Sequence, residues 1–366
     1  MILFYKKVLY FIITVVFLIL SFMKNSSSED IKIPTIKCKI QEIGTLDLDG
    51  AQNPKWSPDG TKIAFVMSKE SGWDTNDKDV MDHERILFVI NADGTNMKRL
   101  TDRGDISNFQ WAHDSKEIVL GVAFINVHSG EVRFMKYDRP AYLKFNGKFK
   151  ETVNYESGRI NVLSFAWEEG LAGIYELNED GSLKKIRDME KIKKFIKVPK
   201  EEGFSTWEPG SISPDVKKII YDDIDEYWEK YGKFDPKLKD YEKDKTHLPL
   251  DSERFNKLSF YVQSFDKEDK KFLVKGGQGF VWSYDGEKIA FLKEDMWKDR
   301  FGEEEGRDYI FVCDSNGSNL IKLDINVLLY DNESVDKIGG WSPDNNKLVI
   351  ELSYKASETR IAIVSW

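Results

Sequence analysis

Residues 56–65 read WSPDGTKIAF, and residues 282–291 read WSYDGEKIAF. Both stretches have the same physical grammar. Trp56 ends a short strand, Ser57-Pro58-Asp59-Gly60 turns the chain, and Lys62 to Val66 leaves as a second strand. Pro58 presets φ at the first corner, Asp59 bonds nearby backbone N–H groups, and Gly60 accepts positive φ without steric cost. Residues 86–101, ILFVINADGTNMKRLT, then write a second hairpin around Asn91-Ala92-Asp93-Gly94. One unit therefore holds four strands.

The unit recurs around Trp111 (FQWAHDSKEIVL), Pro214 and Asp215 (SISPDVKKIIY), Trp282, Asp285 and Gly286, and Trp341, Pro343 and Asp344 (WSPDNNKLVI). Second hairpins are expected in AYLKFNGKFKETV, IYELNEDGSLKKI, LSFYVQSFDKEDKKFLV and YIFVCDSNGSNLIKL. Between Trp111 and Pro214 lies a degenerate unit, NVLSFAWEEGLAGIYELNEDGSLKKI, whose first hairpin lacks the Pro-Asp-Gly turn. Six four-stranded units at spacings of roughly 45 to 70 residues predict an all-β fold, a six-bladed β-propeller of antiparallel blades. The last unit makes only three strands before Trp366. Residues 36–46, IKCKIQEIGTL, are expected to supply its fourth and close the ring, which removes exposed sheet edges.

At this level WSPDGTKIAF followed by LFVINADGTNMKRLT resembles the repeat of the TolB-type β-propeller family. The likeness is most specific in units one, five and six and runs in looser form from Ile36 onward. It implies an exported, usually non-enzymatic six-bladed propeller used for protein–protein contact in the cell envelope. That family carries an α/β domain ahead of its propeller, whereas only residues 29–55 separate the export segment from the first turn here. Contacts made by that domain are therefore not carried over. Related repeats form the propeller half of dipeptidyl-peptidase-like serine hydrolases, whose G-x-S-x-G elbow is absent from this sequence.

The first 28 residues read as a signal peptide or N-terminal membrane anchor: Lys6 and Lys7 precede an uncharged apolar run from Val8 to Met23. Cleavage after Ser28 is the favoured expectation and an uncleaved anchor the alternative. Both place residues 29–366, a single domain, in the periplasm, cell envelope or exterior. Cys38 and Cys313 are too few for a disulfide scaffold, and Cys313 in YIFVCD reads as a core residue. A net charge of −9 argues against nucleic-acid binding.

No catalytic residue, cofactor site or metal site is legible. His83, His113, His128 and His247 stand apart from one another and from cysteine. Asp74, Asn76, Asp77 and Asp79 lack the glycine and distal glutamate of a calcium loop.

Function is instead expected on long loops. In each unit the second connection lies on the face opposite the short turns, and it is long at residues 68–85, 222–257 and 293–308. Each of these segments carries net charge −3 and is rich in aromatics. Trp73, Asp74, Asp77, Asp79, Tyr227, Trp228, Tyr231, Trp297 and Phe301 are the candidate partner-binding residues, suited to a basic protein partner of a monomeric scaffold. Residues 222–257 form the largest insertion, with helical spacing at Ile224, Trp228 and Tyr231. A carbohydrate- or small-molecule-binding propeller, with enzymatic activity on glycans, is the alternative. It would gather carboxylates toward the central channel, where Asn53, Lys55, Asn108 and Gln110 are candidate lining residues.

Overall fold

In a computed structural model of the chain, the described residues are 33–43, 50–69, 84–101, 106, 109–112, 114–120, 123–134, 151–156, 159–164, 173–177, 183–188, 212–222, 258–298, 304–325, 333–354 and 358–366. The export segment lies outside them. They form an all-β structure without a helix, and several of its sheets are four-stranded and antiparallel.

Two short strands, β1 (Thr35–Lys37) and β2 (Lys39–Glu42), precede the repeats. Sheet one contains β3 (Ala51–Trp56), β4 (Lys62–Lys69), β5 (Glu84–Asn91) and β6 (Lys98–Arg99). Sheet two contains β7 (Gln110–Trp111), β8 (Glu117–Leu120), β9 (Ala123–Asn126) and β10 (Val132–Phe134). Sheet three contains β11 (Glu151–Glu156), β12 (Arg159–Ser164), β13 (Gly173–Leu177) and β14 (Leu183–Asp188). Sheet four has β15 (Lys218–Asp222), β16 (Ser259–Ser264) and β17 (Lys271–Lys275), with Ile212 bridging to Ile219 in place of a first strand. Sheet five has β18 (Gln278–Trp282), β19 (Lys288–Lys298), β20 (Glu304–Asp314) and β21 (Ile321–Asp324). Sheet six has β22 (Glu333–Trp341), β23 (Lys347–Tyr354) and β24 (Glu358–Ser365). In each, neighbours in sequence are neighbours in the sheet.

The repeated turn has a centre that its Pro-Asp-Gly letters do not reveal, the buried serine after tryptophan. Ser57 Oγ donates to Asp59 Oδ1 (2.6 Å) and accepts from the Lys62 amide (2.9 Å). Ser213 with Asp215 and Lys218, Ser283 with Asp285 and Lys288, and Ser342 with Asp344 and Lys347 repeat this bonding. The fourth turn position is left-handed each time: Gly60 (φ 71°), Ser115 (59°), Val216 (56°), Gly286 (71°) and Asn345 (56°).

These turns also touch in succession. The Asp59 amide donates to Ser115 Oγ (2.9 Å), and the Tyr284 amide donates to Asn345 Oδ1 (2.9 Å). A Cβ on Gly60 would stand 3.3 Å from Pro343 Cδ, and one on Gly286 would stand 3.6 Å from Pro214 Cδ. The tryptophans serve the same seams: Trp111 Nε1 donates to the Lys55 carbonyl (3.0 Å), and Trp341 Nε1 to that of Val281 (3.2 Å). Apolar layers fill the space between sheets. Leu292, Ile310, Leu348 and Val364 pack between sheets five and six, Phe65, Val349 and Ile363 between six and one, and Val66, Leu87 and Ile118 between one and two. Cys313 is buried, and that burial followed by the neighbouring Asp314 charge pushes its thiol up to about 12.

Four expectations need correction. The segment expected to be one closing strand over residues 36–46 is two strands. Lys39–Glu42 pairs antiparallel with β24, as expected of a fourth strand, but Thr35–Lys37 runs parallel to β21 and makes sheet five five-stranded. Residues 44–49 lie outside the described set. Second, residues 293–308 are mostly strand: β19 and β20 stay paired from Lys288↔Asp314 out to Lys298↔Glu304. Asp295 stands opposite Arg307 in this extension, so polar residues continue the ladder beyond the core. Likewise Ser68–Lys69 and Glu84–Arg85 are strand.

Third, the second hairpin of unit two is β9–β10 around residues 127–130, and Glu151–Val153 instead opens sheet three. Asn126 Oδ1 accepts from the amides of His128 (2.9 Å) and Ser129 (3.0 Å), and Gly130 is left-handed (φ 77°), which makes the turn. Fourth, sheet four shows three strands rather than four among the described residues.

Candidate functional site

The first strands of successive sheets approach one another: β18 meets β22, β22 meets β3, β3 meets β7 and β7 meets β11. Three of them are bulged. Register shifts fall between Gln52 and Lys55, between Gln278 and Val281, and twice in β22, at Val335/Lys337 and Ile338/Gly340. A bulge adds a residue to one strand and re-aims its side chain. Asn53 (φ 54°) and Gly279 (φ 61°) supply the left-handed backbone in two of them. A Cβ on Gly339 would fall on the Pro54 carbonyl oxygen, so glycine permits the close approach of sheets six and one.

The bulges gather polar side chains at the ends of these strands away from the tight turns. In β22 the extra residue is Asp336, exposed beside exposed Lys337. Ser353 Oγ donates to Asp336 Oδ1 (2.7 Å), and Lys337 Nζ donates to Asn53 Oδ1 (3.3 Å). The Asn53 amide donates to Glu351 Oε2 (2.9 Å) across the seam between sheets one and six. Glu351 is 8% exposed. Burial pushes its carboxyl above the usual range, Asp336 adds to that, and the Asn53 bond and Lys337 oppose it. Asp308 on β20 is raised too, first by burial and then by Glu294 and Asp336, against the bond from Gln278 Nε2 (3.0 Å). The cluster thus spans sheets five, six and one. It holds carboxylates that differ in exposure, with Lys337 as the adjacent cation, an arrangement able to receive a cationic group or to exchange a proton.

Of the expected lining residues, Asn53 belongs to this cluster. Lys55 Nζ donates to the Phe109 carbonyl (2.8 Å) and lies 5.3 Å from the Phe109 ring centre, so it ties sheet one to sheet two. Gln110 is buried, and Asn108 lies outside the described residues. Trp73, Asp74, Asp77, Asp79, Tyr227, Trp228, Tyr231 and Phe301 also lie outside them, as does the helical segment expected near Trp228. Trp297 is on β19 opposite Glu305, part of the hairpin extension rather than a loop.

Sequence reasoning missed Asp308, Asp336 and Glu351. The available signal was Asn53-Pro54 and Gly339-Gly340 inside strand patterns, residues that mark bulges. Among the described residues, no group of three or more His, Cys, Asp or Glu side chains is arranged to hold a metal ion.

No protein-family model and no curated relative matches the chain. Solved structures similar to it include TolB from Acinetobacter baumannii, at 15% identity and a TM-score of 0.42 over 84% of this chain and 64% of that one. An oligogalacturonate lyase from Vibrio parahaemolyticus matches at 10% identity and TM-score 0.43, covering 90% of this chain and 97% of that one. A gluconolactonase from Xanthomonas campestris matches at 11% and 0.41, covering 90% and 89%. This chain spans less than two thirds of the TolB it matches. At these scores the likenesses carry no assignment of activity.

Proposed function

We propose that the chain is an exported, non-enzymatic six-bladed β-propeller scaffold that binds a basic protein partner in the periplasm or cell envelope. The partner engages the face opposite the tight turns. The succession of turn contacts and first-strand contacts from sheet to sheet supports a ring, with β2 as the fourth strand of the last blade and a seam between sheets three and four completing the circle. The observation that carries the binding reading is the placement of Asp336 and Glu351 on and beside a bulged first strand at that face. Lysine or arginine side chains complement such carboxylates through charge-assisted bonds. In this proposal the partner also engages the aromatic and acidic segments around Trp73, Trp228 and Phe301.

A second reading, a glycan- or small-molecule-binding propeller with enzymatic activity, is favoured by one observation. Burial raises the carboxyls of Asp308 and Glu351, and a raised carboxyl is what a general acid needs.

The test immobilises the full chain and an Asp336→Asn/Glu351→Gln variant, and passes envelope extract over both at low and high salt. The expected result is a basic protein retained at low salt by the unmodified chain, released by high salt and lost with the variant. Retention of envelope glycans without protein would overturn the scaffold proposal in favour of the second reading.

A further inference from the structure

The tryptophan seams are not all closed alike. Trp111 Nε1 donates to the carbonyl of Lys55, the residue before Trp56, at 3.0 Å, and Trp341 Nε1 donates to that of Val281, the residue before Trp282, at 3.2 Å. At the seam between sheets six and one the corresponding acceptor is the carbonyl of Gly340, the residue before Trp341. Trp56 is 5% exposed and lies in one apolar cluster with Phe65, Val349 and Ile363, yet its Nε1 has no acceptor among the described residues. Trp282 Nε1 has none there either, but Ser211, the residue that would answer it, lies outside the described set.

The backbone supplies the reason at Trp56. In sheets one and five the positive φ of the first-strand bulge falls three residues before the tryptophan, at Asn53 (54°) and Gly279 (61°). In sheet six it falls one residue before, at Gly340 (147°), beside the register shift at Ile338/Gly340. Lys55 and Val281, the acceptors in the intact seams, have negative φ. Glycine occupies either half of the φ map at similar cost, whereas a buried N–H without an acceptor penalises the observed half. A Cβ on Gly340 would meet nothing within 4 Å, so space is open beside it, while Gly339 is held against the Pro54 carbonyl.

We propose that Gly340 is a two-state switch at the seam between sheets six and one. In the observed state Trp56 Nε1 goes unpaired; in the other, Gly340 takes a negative φ and its carbonyl accepts Trp56 Nε1, as Lys55 and Val281 accept in the seams on either side. The switch controls the carboxylate cluster, because Asp336 and Lys337 lie on the same bulged strand and Lys337 reaches Asn53 across the same seam. That controlling role rests on the reading of the cluster as the binding face, and the switch itself does not.

Indole N–H exchange, followed by solution NMR of the full chain, tests the switch, with Trp56→Phe and Trp111→Phe assigning the two resonances. The Trp56 indole proton is expected to exchange at least about tenfold faster than that of Trp111, and to slow at least about tenfold in Gly340→Ala, since alanine disfavours positive φ. If Gly340→Ala does not fold, relaxation dispersion of the unmodified chain decides instead, with exchange expected at the Trp56 indole nitrogen and not at that of Trp111. Equal protection of the two indoles, a folded Gly340→Ala with unchanged Trp56 exchange, or absence of dispersion at Trp56 in that fallback overturns the switch. Titration of both chains with oligolysine at low salt tests the control, and affinities differing by at least about threefold are expected. Equal affinities overturn the control. Binding to neither chain overturns the reading of the cluster and the control with it, while the indole exchange still decides the switch.

Discussion

Ser57, Ser213, Ser283 and Ser342 show how much one buried hydroxyl can organise. Each donates to the turn aspartate and accepts the amide five residues on, so removing it leaves two polar groups short of a partner. The second unit is an internal comparison, because alanine stands at that position. There the Ala112 amide still donates to the Glu117 carbonyl (2.8 Å), and Asp114 accepts from the Lys116 amide (2.8 Å). The turn therefore survives without the hydroxyl, which sets the cost at a moderate level. Ser283→Ala is expected to lower stability by about 1–2 kcal/mol in urea unfolding, without changing the slope of the transition. Ser115→Ala removes instead the acceptor for the Asp59 amide between sheets one and two, and should cost a similar amount. Val216, buried and β-branched at φ 56°, shows that the left-handed position is imposed by the turn and tolerated even where glycine is absent.

Among the elements, the N-terminal segment joins two sheets from outside, β1 on β21 and β2 on β24. Ile43 is buried at its end, and its amide donates to the Ile361 carbonyl (2.9 Å). Arg360 on β24 reaches Glu42 of β2 at 3.5 Å and also pairs with Glu333, which is 2% exposed on β22. Removing the arginine leaves a buried carboxylate without this cation, a loss of roughly 3–5 kcal/mol. Arg360→Met is accordingly expected to destabilise by about that much. Adding Glu333→Gln should recover more than half of the loss in urea unfolding, because a neutral amide tolerates the burial. An additive double variant would show that the two side chains do not act as a pair. Much of this level was legible: the Pro-Asp-Gly turns and alternating apolar residues located most hairpins. What escaped was the parallel β1, since nothing in TIK distinguishes a parallel partner from an antiparallel one. The long β19–β20 hairpin escaped too, because pairing carries its charged residues beyond the region where apolar alternation marks a strand. The carboxylate cluster was illegible for a third reason, as its members come from three sheets and meet only through bulges.

For the whole molecule, the two groups of carboxyls pull the pH dependence of stability in opposite directions. In the tight turns, burial of Asp59 and Asp215 works against ionisation, but bonds from Ser57 and Thr61, and from Ser213 and Lys217, bring both carboxyls below the usual range. Asp344 is lowered chiefly by Ser342. A depressed carboxyl contributes stability that is present above its unfolded pKa of about 3.9 and is lost as pH falls through the folded value. Glu351 and Asp308 have the reverse sign. Their raised carboxyls destabilise the fold while ionised, and that cost is relieved as pH falls through their folded values, which lie above about 4. Melting temperature is therefore expected to rise slightly from neutral to mildly acidic pH and to fall steeply below about pH 4. Glu351→Gln keeps an acceptor for the Asn53 amide but cannot ionise. It should raise the melting temperature at pH 7 and flatten the mildly acidic rise, leaving the steep acid limb in place. Ser342→Ala should do the converse and soften the acid limb alone. Melts of the three proteins across pH 2.5 to 8 read both effects, and an unchanged mildly acidic limb in Glu351→Gln would remove that residue from the account.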